Sequence, residues 1–151
     1  MKILLYIVIG FVVLVGIRFV MLSVNSRKQP ETGLVNAQLR ACPATPNCVC
    51  SESQVDGSFI DPLSYTTTMD EALSNIKGTI ARTGGVIVSE SGGYLHARYE
   101  TPLMRYIDDV ELRIDESNHL IHVRSASRVG QSDFGANRKR VEKIRELFRL
   151  R

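Results

Sequence analysis

The chain has 151 residues, 44% hydrophobic and 23% charged, which is the composition of one packed domain and excludes a disordered segment. Tryptophan is absent and aromatics make up 7%, so a broad aromatic surface for stacking bases or sugars is excluded and no nucleic-acid partner is expected. The net charge of +3 is uneven: residues 138–151 hold seven Lys/Arg against two Glu, a pattern read as a solvated helix face laced by ion pairs to Glu142 and Glu146, with attraction to anionic lipid or an acidic partner as the sharper alternative.

Residues 1–22 form the first element. Residues 3–17 are apolar, Arg18 intervenes, and residues 19–22 resume the pattern. A bilayer core needs about 20 such residues, and one arginine near an end can snorkel. Leu22-Ser23-Val24-Asn25 offers no small-x-small cleavage site, so a retained single-pass transmembrane helix is expected and not a cleaved signal. Arg18, Arg27 and Lys28 follow the segment and only Lys2 precedes it, which leans towards a cytoplasmic domain. The cysteines lean the other way.

Residues 23–41, with Pro30 and Gly33, read as a polar tether, and the folded domain is expected over 42–151. Pro43 and Pro46 force a turning path that could bring Cys42 and Cys48 together, and an exported compartment would make them a disulfide. Cys50 is then an odd thiol, to be read as inert or as redox-active or intermolecular. No nearby histidine or fourth cysteine completes a tetrahedral set, so no metal is expected.

Residues 57–67 read as loop with a short strand near Tyr65. Thr68-Met69-Asp70-Glu71 has the form of a capping box opening an amphipathic helix, with Met69, Leu73, Ile76 and Ile80 on its apolar face and Gly84-Gly85 at its end. Residues 86–91 and 94–101 flank Gly92-Gly93 as a hairpin, residues 102–106 break the pattern, and residues 107–115 and 120–128 make a second hairpin around Ser117-Asn118. The predicted fold is α+β: a four-stranded antiparallel sheet with two helices on one face, preceded by the transmembrane helix.

Placing Glu116 opposite His119 sets Ile114 against Ile121, Leu112 against Val123 and Val110 against Ser125, which keeps one face apolar. Leu95, Ala97 and Tyr99, with Val86 and Val88, supply that face from the first hairpin. The opposite face is charged, with His96, Arg98, Glu100, Asp109, Glu111, Arg113, His122 and Arg124; Glu111 should meet Arg124 and Arg113 should meet His122. That face reads as cross-strand ion pairs, or else as a docking surface.

The apolar face turns polar at one end, where Asp108, Ser125 and Ser127 meet Asn137, which shares a helical arc with Val141, Ile144 and Phe148. These groups satisfy one another or line a small polar pocket. Arg128, Asp133 and Arg138 border the same place, and Asp133 is placed to cap the final helix, whose first amides would also suit an anion. Adjacent Asp108 and Asp109 face opposite sides of a strand and cannot form an acid/base pair, although Asp108 with Asp133 remains open. Neither serine sits in a Gly-x-Ser-x-Gly elbow, and no phosphate loop, dinucleotide fingerprint or zinc-finger spacing is present, so no cofactor is expected.

Three stretches carry a family resemblance: Cys-Pro-x-x-Pro-Asn-Cys-Val at 42–49, Asp-Asp-Val-Glu at 108–111, and Val-Arg-Ser-Ala-Ser-Arg-x-Gly-x-x-Asp-x-Gly-x-Asn-Arg at 123–138. They resemble the domain-of-unknown-function family number 1499 (DUF1499) over about residues 42–149. The resemblance implies an envelope protein of bacterial or plastid type without an assigned activity, a periplasmic or lumenal address, and the Cys42–Cys48 bridge. Cys50 departs from the family, whose members more often carry serine there.

Together these readings predict a single-pass membrane protein with a periplasm-facing domain that binds a small anion or an envelope protein partner, or assists assembly. Arg124, Ser125, Ser127, Arg128, Asp133, Asn137 and Arg138 are the expected ligand contacts. Arg128→Ala is then expected to weaken binding and spare thermal stability. The alternative is a small enzyme using Asp108 or Asp133 as general base on an acidic substrate.

Overall fold

The computed structural model describes residues 1–150; Arg151, counted above in the basic helix, lies outside them. Helix α1 (Lys2–Ser26) is long and apolar enough to span a membrane and buries none of its apolar window against the rest of the chain. It runs past the apolar stretch to Ser26, which is fully buried at the junction with the domain.

The sheet has six strands where the sequence pattern predicts four. In order they are β3 (Cys48–Cys50), β8 (Leu120–Ser127), β7 (Ile107–Asp115), β6 (Tyr94–Glu100) and β5 (Val86–Ser91), with β4 (Leu63–Ser64) also paired to β8. The two additional strands are three and two residues long, too short to display a period of two. They cover the edge of β8 that the four-strand reading leaves open. The β7–β8 register is as predicted, with Leu112 opposite Val123, Ile114 opposite Ile121 and Glu111 opposite Arg124.

The first hairpin departs from simple alternation. A bulge between Ile87 and Ser89 sets Ile87 opposite Ala97 and Val86 opposite Arg98. Val86 and Val88 therefore stay exposed and do not supply the helix-facing side. The extra residue of a bulge reverses which side chains share a face.

Helices α2 (Met69–Arg82) and α3 (Ala136–Arg149) pack on the apolar face. Thr68 and Glu71 close the expected capping box on α2. The principal core joins Ala72, Ile76 and Ile80 of α2 to Leu95, Leu112, Ile121 and Val123 of the sheet and to Val141, Ile144 and Phe148 of α3. Gly85 allows close approach: a Cβ there would meet the Tyr99 ring at 2.6 Å and Ile80 at 2.7 Å.

Most of the charged face is covered; Arg98 and Glu100 at its end stay exposed. A small hairpin of β1 (Leu34–Val35) and β2 (Gln38–Leu39) turns through Asn36 and Ala37, both left-handed at φ +52° and +62°, the geometry of a two-residue type I′ turn. Within the segment that reads as a tether, Leu39 is buried, and it packs with Cys42, Cys48, Cys50 and Ala126 in a second core. Cys42 and Cys48 form a disulfide. Beneath this cover, His96, Asp109 and Glu111 are buried.

Candidate functional site

Asn137 holds the polar cluster on the helix side and is 0% exposed. Its Oδ1 accepts from Ser125 Oγ at 2.6 Å, and its Nδ2 donates to the Asn47 carbonyl at 2.9 Å and to Ser127 Oγ at 3.0 Å. The loop–helix–strand junction is thereby satisfied internally, as buried polar groups require. Arg140 completes it, donating to Ser125 Oγ at 3.1 Å, to Asn137 Oδ1 at 2.5 Å and to Asp108 Oδ2 at 2.5 Å, with its guanidinium 4.8 Å from the Tyr99 ring centroid. Sequence reasoning missed Arg140. Its position three residues after Asn137 places it on the same helical face.

Asp133 accepts from the backbone N–H groups of Gly135 and Asn137 at 3.0 and 2.7 Å. The carboxylate occupies the place an external anion would take at this helix N-terminus. Arg138 turns away and donates to the carbonyls of Gly57 and Phe59 at 3.0 and 2.8 Å.

The sheet separates the remaining two predicted contacts from this cluster. Ser125 and Ser127 face the helices, so alternation sends Arg124 and Arg128 through to the covered face. Arg128 grips Asp109 with two bonds of 2.8 Å and donates to the carbonyls of Ser26 and Lys28 at 3.2 and 3.0 Å. This clamps the end of α1 to the sheet. His96 Nε2 lies 2.7 Å from Asp109 Oδ1. Burial pushes the Asp109 carboxyl up, but the bonds from Arg128 and His96 outweigh it and hold the group below the ordinary carboxylate range.

Arg124 Nη1 donates to Glu111 Oε2 at 2.8 Å, and Glu111 also accepts from Tyr94 Oη at 2.7 Å and from the Gly33 N–H at 2.8 Å. Arg124 reaches the wall of an open cleft of about 680 Å³, which Glu31, Val35, Leu39, Arg40, Cys42 and Glu52 also line. Arg40 and Arg124 each also keep a buried Nε that has no acceptor among the described residues, as does Arg113. Glu52 spends its oxygens on Arg113 and on the Leu39 N–H.

The enzymatic alternative finds its carboxylates engaged. Asp108 is ion-paired with Arg140 and both oxygens of Asp133 hold helix amides. A further arrangement, unseen in the sequence, sets Ser51 Oγ 3.2 Å from His122 Nδ1 and His122 Nε2 3.8 Å from Asp115. Ser51 is only 8% exposed and its hydroxyl also accepts from the Val123 N–H, a bond that ties the end of β3 to β8. Burial pushes the thiol of Cys50 up, the setting of an inert structural cysteine.

No curated protein and no solved structure matches the chain. A family model described as "Protein of unknown function (DUF1499)" matches residues 38–148. The match takes in the disulfide loop, every strand of the main sheet and both packed helices. On that match, the chain belongs to the DUF1499 family.

Proposed function

We propose that this protein is a single-pass, membrane-anchored binding module that takes a small anion into the cleft walled by Arg40 and Arg124. The observation that carries the reading is that two guanidinium groups stand on the wall of one cleft, each with a buried Nε–H that has no acceptor among the described residues. A buried donor without an acceptor carries a desolvation cost, and a carboxylate or phosphate oxygen relieves it through a charge-assisted bond. Of the residues expected to contact ligand, Arg124 keeps that role, while Ser125, Ser127, Arg128, Asp133, Asn137 and Arg138 build the frame that holds β8 in place.

The Cys42–Cys48 bridge supports a domain on the oxidising side of the membrane, in the periplasm of a bacterial envelope. Helix α1, apolar from residue 3 to 22 save for Arg18, supports the anchor. Envelope proteins that present an anionic peptide terminus or side chain are partners of matching chemistry.

The test is thermal denaturation of the full chain in detergent micelles with acetate or inorganic phosphate at constant ionic strength. A saturable rise in Tm is expected, absent in Arg40→Gln and reduced in Arg124→Lys. An equal response in Arg40→Gln, or none in the native chain, overturns the reading. Protease applied from outside after thiol blocking should reach a domain that retains its Cys42–Cys48 bridge; three free thiols on a protected domain would reverse the orientation.

A further inference from the structure

Two loop tips stand beside α1 at the level of its last apolar turns. The first joins β6 to β7. Thr101 braces it, its N–H donating to the Tyr106 carbonyl at 2.9 Å and its Oγ1 accepting from the Tyr106 N–H at 2.9 Å. This brace holds Leu103 outward, 84% exposed, with Met104 beside it. Leu103 and Met104 form a groove of about 430 Å³ with Gly16, Phe19, Val20 and Val24 of the helix. The second tip is Phe134, 92% exposed and left-handed at φ +53°, in the loop that shares a cavity of about 180 Å³ with Leu22.

The helical rise fixes the depth. Gly16 and Val24 lie eight residues apart, about 12 Å along the axis. If residues 3–22 fill a bilayer core, that interval covers its boundary with the headgroups. Water is then not the neighbour of these tips. Arg27 lines the first groove and Lys28 follows it, a basic collar where phosphate headgroups would lie.

We infer that the bilayer holding α1 is itself the partner of this surface: Leu103, Met104 and Phe134 insert into its interface and seat the domain on the membrane at a fixed orientation. The inference rests on the anchored reading of α1. Apolar side chains leave water wherever an apolar phase is in reach, and the tether keeps the membrane always in reach. Without such a phase, bulky apolar tips on braced loops would be an aggregation liability.

The absence of tryptophan makes a direct test available, because one introduced indole is the sole reporter. Leu103→Trp, Phe134→Trp, Phe11→Trp and Ser117→Trp, each in the full chain, are reconstituted into phosphatidylcholine/phosphatidylglycerol vesicles with or without brominated acyl chains. Phe11 reports on the mid-helix. Ser117 sits in the turn at the far end of β7, about 30 Å from the tips.

Strong quenching is expected at position 11, quenching of about twofold or more at 103 and 134, and none at 117. Quenching at 11 with 103 and 134 behaving like 117 overturns the seating and leaves the anchor intact. No quenching at 11 removes the anchor and the seating with it. Blue-shifted but unquenched emission at 103 or 134 means that protein, such as a second copy of this chain, covers the tips, and overturns the bilayer as partner.

Discussion

Asp109 is 3% exposed, and its charge is held by Arg128 and His96. Removing the guanidinium leaves a buried carboxylate without its main counter-ion, so Arg128→Ala is expected to lower stability by about 3–5 kcal/mol. A large fall in Tm would show it; weakened ligand binding at unchanged Tm is the outcome that would restore a contact role. Asn137 makes a second case. Asn137→Ala removes one bond each from Ser125 Oγ, Ser127 Oγ and the Asn47 carbonyl; Ser125 Oγ keeps Arg140 and the Asn47 carbonyl keeps the Ser127 N–H, so the loss is expected at about 0.5–1.5 kcal/mol per bond. Arg40→Gln should change stability little, because its ion pair with Glu31 is largely exposed. That contrast separates binding residues from framing residues by one calorimetric series.

At the scale of elements, Ala37 occupies a left-handed turn position that suits glycine. The left-handed backbone costs an L-residue roughly 1–2 kcal/mol, and glycine returns about half of that as unfolded-chain entropy. Ala37→Gly should therefore raise stability by about 0.5–1 kcal/mol, read as a shifted denaturant midpoint. Gly85→Ala should do the reverse by about 1–3 kcal/mol, since the added methyl meets Tyr99 and Ile80. Elements with a local signature were legible in the sequence: the capping box at Thr68, the Gly92-Gly93 turn, and the β7–β8 register set by alternation. Strands β3 and β4 were not, because two or three residues hold no period and pairing with β8 is decided by distant contacts. The hairpin over the charged face was hidden for the same reason, and with it the burial of His96, Asp109 and Glu111. Half of the polar cluster could be read from alternation and a helical wheel. The same alternation already assigned Arg124 to the other face and, carried four residues further, sends Arg128 there as well; only proximity in sequence had grouped them with Ser125 and Ser127.

Taken whole, the molecule is one sheet between two unlike layers, an apolar core under α2 and α3 and a charged, disulfide-bound layer that also receives the end of α1. Its stability should depend on pH through that second layer. Asp109 sits below its ordinary value, so the stability it lends is complete above about pH 4 and is lost as pH falls through the depressed folded value. His122 is also pushed down, first by burial, so the unfolded chain takes up a proton before the folded one does and stability declines below about pH 6.5. The two slopes have the same sign. Tm recorded from pH 8 to pH 3 is expected to fall in a shallow step and then a steeper one, and a flat profile would remove both assignments.

The central place of β8 also sets a timetable for synthesis. Cys42 and Cys48 can bond as soon as their short loop has emerged, but Cys50 is shielded only when it pairs with Arg124, 74 residues later. At ribosomal rates of about 5–20 residues per second, its thiol stays open to the new bridge for roughly 4–15 s. During that interval it can attack the bridge and trap a Cys42–Cys50 isomer, which the finished fold forbids. Pulse-labelled chains quenched with alkylating agent should contain this isomer early, and Cys50→Ser chains should reach the native bridge without the delay.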